Sequence, residues 1–165
     1  SFQAPRFLDM GTGSGAIALA LKSQKPNAAV TAVDASQEAL AVAQLNAQQL
    51  ALDVTFLQSN WFQQVNGAFE VIVSNPPYIE AQDPHLAKLQ HEPLEALVSG
   101  DDGLEDIRIL VQQAQNHLVN GGWLLLEHGW QQAPQVRALL EAAGYQNVQS
   151  KRDLAGIERC SGGQK

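Results

Sequence analysis

Short apolar runs alternate with longer amphipathic stretches along this chain. Phe7-Leu8-Asp9-Met10 reads as a short strand that ends in a glycine cluster. Ala16 to Gln24, rich in Ala and Leu, predicts a helix stopped near Pro26. Ala29 to Val33 predicts a second strand ending at Asp34, and Ser36 suits the N-cap of a helix running to about Leu50. Val54 to Leu57 and Phe69 to Val73 predict strands three and four, the latter running into Asn75-Pro76-Pro77-Tyr78. Ile79 to Asp102, interrupted by Pro84 and Pro93, reads as a long irregular insertion. Leu104 to Leu118 predicts a helix, and Gly121-Gly122 a turn into the strand Trp123-Leu124-Leu125-Leu126-Glu127. Pro134 to Ala143 predicts a helix with Gly144 as its C′ residue, and Val148 and Ile157 mark two last strands. Strands separated by helices imply an α/β domain with a mostly parallel sheet and right-handed crossovers. Ligands of such sheets lie beyond the carboxyl ends of the strands. The glycine cluster, Asp34, Asn60 and Asn75 all fall just after predicted strands.

Composition narrows this picture. The 165 residues fit one domain, and 45% hydrophobic content supports a packed core. The net charge is −7 with no run of Lys and Arg, which argues against a grip on bare duplex DNA or long RNA. It favours a protein or small-molecule substrate. Cys160 is the only cysteine, so no intrachain disulfide forms, in keeping with a reducing cytoplasm. The first core strand begins within a few residues of Ser1, which suggests a catalytic domain excised from a longer chain.

Asp9-Met10-Gly11-Thr12-Gly13-Ser14-Gly15 follows a strand and opens a helix. Its glycines permit a tight turn and close backbone approach to a ligand. Gly11, Gly13 and Ala16 also satisfy a dinucleotide pattern, with Asp34 where a ribose-binding acid belongs. Asp9 separates the two readings. A carboxylate two residues before the first glycine repels a pyrophosphate, yet suits a ligand bearing a sulfonium and an ammonium. The alternative role for Asp9 is as a charge partner of the helix N-terminus. Asp34 suits two ribose hydroxyls under either reading. Asn60 and Trp61 offer an adenine contact, with Trp61 against the ring and Asn60 on its exocyclic amine. The alternative is that Trp61 and Phe62 belong to the core.

Val71-Ile72-Val73-Ser74-Asn75-Pro76-Pro77-Tyr78 carries the chemistry. Two prolines donate no backbone hydrogen bonds and fix the chain. The Asn75 side-chain oxygen and the Pro76 carbonyl can then accept both N–H bonds of a planar –NH2 group. Tyr78 is placed to stack on that group. Such a clamp points a nitrogen at a methyl donor, and orientation is a large term when the leaving thioether needs no acid.

Asp9 to Gly15, Asp34 and Asn75 to Tyr78 together resemble the class I S-adenosylmethionine-dependent amino methyltransferases. Gln58-Ser59-Asn60-Trp61-Phe62, Asp83-Pro84-His85-Leu86, Glu92-Pro93-Leu94-Glu95-Ala96-Leu97 and Leu124-Leu125-Leu126-Glu127-His128-Gly129-Trp130 resemble the HemK/PrmC type, the peptide-chain release factor glutamine-N5 methyltransferases. The resemblance runs from about Phe7 to about Gly163. It implies a Rossmann-like fold with a seven-stranded, mostly parallel sheet and helices on both faces. It implies S-adenosyl-L-methionine as cofactor, held by Asp9, Gly11, Thr12, Gly13, Gly15, Asp34, Asn60, Trp61 and Asn75. It further implies catalysis by Asn75, Pro76 and Tyr78 on the glutamine amide of the Gly-Gly-Gln motif of class I release factors. The alternative is a nucleic-acid amino methyltransferase acting on adenine N6 or guanine N2. Asn60 departs from the family's usual Asp, and the family's N-terminal helical domain is absent from this chain. His85, His91, His117 and His128 lack zinc-ligand spacing and read as structural or surface residues. Gly162-Gly163-Gln164 matches the tripeptide that the family modifies, and reads as an ordinary last strand.

Overall fold

The computed structural model describes residues 3–77, 99–100 and 102–165. Tyr78, His85, His91 and the Glu92 to Leu97 segment lie outside the described residues. Among the described residues, seven strands form one sheet in the order β3-β2-β1-β4-β5-β7-β6. The chain divides into two compact units, Ser1–Ser74 with Asn116–Trp123, and Asn75–Gln115 with Leu124–Lys165.

In the first unit, β1 (Arg6–Met10) pairs in parallel with β2 (Ala29–Asp34) and with β4 (Phe69–Ser74), and β2 pairs in parallel with β3 (Thr55–Gln58). Leu8, Ala32, Val33 and Ile72 are wholly buried, so the central strands read as apolar runs rather than alternating ones. α1 (Ala16–Gln24) lies against β2, and Ala18, Ala28, Val30 and Ala32 form a small-residue core beneath Phe7, Leu21, Val54 and Phe56. Lys22 closes the C-terminal turn of α1 by donating to the carbonyls of Pro26 and Ala28. α2 (Gln37–Gln49) starts at Ser36, whose hydroxyl accepts from the Ala39 amide at 3.2 Å.

The second unit contains α3 (Glu105–Ala114), the end of β5 (Leu118–Glu127), α4 (Ala133–Ala142) and the antiparallel pair β6 (Gln146–Arg152) and β7 (Glu158–Gln164). Ile107, Leu110 and Ala114 of α3 and Val136 and Leu140 of α4 are wholly buried. The Tyr145 hydroxyl donates to the Val111 carbonyl at 2.8 Å, and burial pushes its pKa up. Gly144 occupies the left-handed C′ position after α4 at φ +91°, as its sequence position predicts.

Two expectations are corrected. The helix expected to reach Leu118 stops at Ala114, passes through a 3-10 turn at Gln115–His117, and gives way to β5 at Leu118. Gly121-Gly122 is therefore inside a ten-residue strand and is not a turn before it. The reason is backbone proximity. A Cβ on Gly122 would stand 3.0–3.1 Å from the carbonyl oxygens of Val119, Glu70 and Phe69. Gly162 and Gly163 in β7 have the same explanation. Added Cβ atoms would lie 2.7 Å from the Leu124 carbonyl oxygen and 2.7 Å from Tyr145 Cβ respectively. The tripeptide at the chain's own end is thus a packing requirement of the last strand.

Candidate functional site

The glycine loop is built by β1 and β2 together. The amides of Gly11 and Thr12 both donate to the Val33 carbonyl at 2.8 Å, and Gly15 donates back to Thr12 at 2.9 Å. Gly11, Gly13 and Gly15 have φ of +73°, +55° and +85°, a region that L side chains seldom adopt. At Gly11 and Gly13 a Cβ would meet nothing within 4 Å, so the loop leaves open space beside its backbone. Gly15 serves packing instead, since its Cβ would stand 3.1 Å from Ala43 Cβ on α2.

Asp34 at the end of β2 holds this loop. One carboxylate oxygen accepts from the Gly13 amide at 2.9 Å and the other from the Ser36 amide at 2.9 Å. Each oxygen keeps a further acceptor site, as a ribose contact requires. Asn46 on α2 adds a second tether by donating to the Ser14 carbonyl at 2.9 Å. Nothing in a helical Asn flanked by Leu and Ala announces that bond from sequence.

Asp9 is 1% exposed. Its Oδ2 accepts from the Thr12 hydroxyl at 2.6 Å and the Ala18 amide at 3.2 Å, while Oδ1 is buried without a partner. Burial lifts its pKa to about 6, opposed by the Thr12 and Ala18 hydrogen bonds and aided by the nearby Asp34 charge. The Ala18 bond bears out the helix N-terminus reading. Oδ1 remains a buried acceptor without a hydrogen-bond partner, which is costly unless something satisfies it. A carboxyl with a raised pKa stabilises the fold while protonated and loses that contribution as pH rises from the unfolded value towards 6. Unliganded protein should therefore lose about 3 kcal/mol relative to Asp9→Asn between roughly pH 4 and 7. Affinity for a ligand bearing an ammonium should fall below about pH 6 in the parent alone. Denaturant melts and calorimetry across that range check both, and parallel profiles for parent and variant would refute the assignment.

Trp61 is half-buried, and its backbone sits at φ +50°. The Ser59 hydroxyl holds it there, donating to the Trp61 carbonyl at 2.7 Å and accepting from the Gln64 amide at 2.9 Å. A left-handed backbone at a bulky aromatic is costly and is concentrated at functional positions. Asn60 is exposed beside it. Phe62 follows the core reading: it is buried and stacks on His117 with ring centroids 4.9 Å apart.

In the second unit, Asn75 is exposed and Pro76 buried. The chain reaches them from Ser74, whose hydroxyl donates to the Met10 carbonyl at 2.6 Å and so fixes the end of β4 against the root of the glycine loop. Of the four histidines, His117 bonds the Gly67 carbonyl and His128 is wholly buried, both in structural roles.

The chain matches the family model of the methyltransferase small domain over residues 2–101. It is 50% identical over 163 residues to the release factor glutamine methyltransferase of Escherichia coli, covering 96% of this chain and 59% of that one. It is 53% identical over 161 residues to the protein of the same name from Pseudomonas aeruginosa, covering 95% and 58%. The chain thus spans less than two thirds of the length of these relatives. Among solved structures, a methyltransferase from Pyrococcus furiosus superposes with a TM-score of 0.77 at 22% identity, covering 99% of this chain and 77% of that one. The Thermus thermophilus 16S rRNA N2 G1207 methyltransferase, solved with AdoMet and guanosine, gives 0.71 at 22%, covering 99% and 38%. At such identity these two establish the fold.

Proposed function

Because this chain belongs to the methyltransferase small-domain family, we propose that it is the catalytic domain of a protein-(glutamine-N5) methyltransferase. Its acceptor is the side-chain amide of the Gly-Gly-Gln glutamine in class I release factors, and its methyl donor is S-adenosyl-L-methionine. The observation that carries the donor is the buried Asp9 with its unpartnered Oδ1, set beneath a glycine loop with open space at Gly11 and Gly13. These residues fit a cationic ligand and not a pyrophosphate. The acceptor is carried by Asn75-Pro76-Pro77-Tyr78 together with the two relatives of about half identity.

When bound, S-adenosylmethionine supplies an activated methyl group on a sulfonium. The chain's residues do the rest. Asp9 pairs with the ligand's ammonium, Asp34 accepts from the ribose hydroxyls, and Trp61 with Asn60 takes the adenine. An amide oxygen at Asn60 accepts from the exocyclic amine as a carboxylate would. The Asn75 side-chain oxygen and the Pro76 carbonyl accept the two N–H bonds of the substrate amide. Tyr78, the last residue of the Asn75-Pro76-Pro77-Tyr78 motif, is the proposed stacking partner for its flat face. Held this way the nitrogen is oriented along one line, which replaces an entropic search. No dedicated base is required, since the proton becomes acidic once the nitrogen has begun to bond.

A net charge of −7 and a sequence with no run of Lys and Arg support a protein acceptor over a nucleic acid. No helix among the described residues is long and apolar enough to cross a membrane. With a substrate in translation termination, the proposed location is the cytoplasm. Residues 1–165 form one catalytic domain in this reading, with part of the release-factor contact supplied upstream. Incubating the chain with a class I release factor and donor should add one methyl group to the Gly-Gly-Gln glutamine, located by fragment mass spectrometry. Methylation of RNA or DNA with none on the factor would overturn the proposal.

A further inference from the structure

Trp61 holds a backbone conformation that its own packing does not explain. Among the described residues, Ala51, Trp61 and Asn147 are the non-glycine residues with positive φ. Ala51 is the C′ residue of α2, where helices commonly close in the left-handed region, and asparagine tolerates that region. Trp61, at φ +50°, has neither reason, and its half-buried indole gains less than full core burial would give. A bulky residue kept in such a conformation points to a use for it.

One residue accounts for the conformation. Ser59 is 4% exposed. Its hydroxyl donates its one hydrogen to the Trp61 carbonyl at 2.7 Å and accepts from the Gln64 amide at 2.9 Å. Its backbone amide donates to the Asp34 carbonyl at 3.1 Å. Asp34 in turn holds the Gly13 amide on its carboxylate at 2.9 Å. A continuous line of hydrogen bonds therefore runs from the glycine loop through Asp34 and Ser59 to Trp61. Beyond Trp61 the chain is anchored separately: Phe62 is buried and stacks on His117, and the Val65 amide donates to the Phe62 carbonyl at 3.0 Å.

We propose that Ser59 is the positioning residue that joins the two halves of the nucleoside site, so that the ribose acid and the aromatic platform for the base act as one unit. Without the hydroxyl, the Trp61 carbonyl loses its donor and the Gln64 amide its acceptor. Trp61 then relaxes towards negative φ, which turns the indole away from the base. Phe62 stays anchored by its own contacts, and the backbone bond from Ser59 to Asp34 needs no side chain, so the fold survives the change.

This rests on the S-adenosylmethionine reading, and the test separates the two. Calorimetry with S-adenosylhomocysteine is run on parent, Ser59→Ala, Ser59→Cys, Trp61→Ala and the Ser59→Ala/Trp61→Ala double variant, with thermal midpoints on the same preparations. Ser59→Ala weakens binding about 10-fold, the scale of two lost hydrogen bonds. Ser59→Cys, with a weaker donor, falls between, and it reads the same bonds should alanine fail to fold. 5′-Methylthioadenosine, which keeps base and ribose but lacks the ammonium, loses affinity by the same factor. In the Trp61→Ala background, Ser59→Ala shifts Kd by less than about twofold, because the serine acts through the indole. A serine that merely supports the fold would cost the full factor with or without the indole. Parental Kd for Ser59→Ala or Ser59→Cys, or an undiminished loss in the Trp61→Ala background, overturns the coupling and leaves the donor reading standing. A folded parent that binds no S-adenosylhomocysteine overturns both.

Discussion

Asn75→Ala leaves cofactor affinity close to the parental value and lowers turnover by about 100-fold or more, the scale of a lost orientation effect. In the proposed mechanism Asn75 acts on the acceptor nitrogen, so its loss is expected to be felt in the transition state. kcat and kcat/KM fall together while KM for the release factor changes little. Asn75 is exposed, so truncation leaves no cavity and the thermal midpoint stays put. The check is single-turnover methylation at saturating donor, with calorimetry for S-adenosylhomocysteine on the same preparation. A variant that methylates as fast as the parent removes the amide clamp from the mechanism.

Asp34→Ala has the opposite signature. Losing a charged acceptor costs roughly 1.5–3 kcal/mol of binding, or about 10- to 150-fold in Kd. The structure argues for the upper part of that range. Asp34 accepts from the Gly13 and Ser36 amides, so alanine frees the glycine loop in addition to removing the proposed ribose contact. Asp34→Asn keeps one acceptor oxygen and separates the contributions, with an intermediate loss expected. Turnover at saturating donor recovers much of the parental rate in both variants, because the acceptor clamp is untouched. Isothermal calorimetry decides it, and an unchanged Kd for Asp34→Ala would take Asp34 out of the binding site.

What could be read from the residues and what could not follows a physical division. Local signals fixed α1 at its observed bounds, placed Ser36 at the N-cap of α2 and Gly144 past the end of α4. Each depends on a residue's own backbone or capping chemistry. The α3–β5 boundary was misplaced because glycine carries two meanings. Gly121-Gly122 reads as a turn, yet Gly122 answers to carbonyls of Phe69 and Glu70 some fifty residues earlier. The site divides the same way. The glycine loop and Asp34 are legible as a motif, and the structure brings them together. The tether from Asn46 to Ser14 and the Ser59 bonds that hold Trp61 are not legible, since each pairs an ordinary polar residue with a backbone atom. Trp61 and Phe62 look alike in sequence. Tertiary packing alone sends Phe62 to the core and leaves Trp61 at a strained, half-exposed position.

The two outermost strands bear on how the protein behaves when crowded. β3 is only four residues long, which leaves little unpaired backbone for another chain to template on. β6 is longer but almost wholly polar, carries Lys151 and Arg152, and breaks register with β7 in two places. A strand arriving at that side would meet positive charge and an irregular ladder in place of a flat apolar rail. Neither rim is a template for fibril growth, so self-association of this chain at high concentration is expected to run through exposed apolar residues of α2 and its C-cap, such as Val42, Leu45 and Leu50.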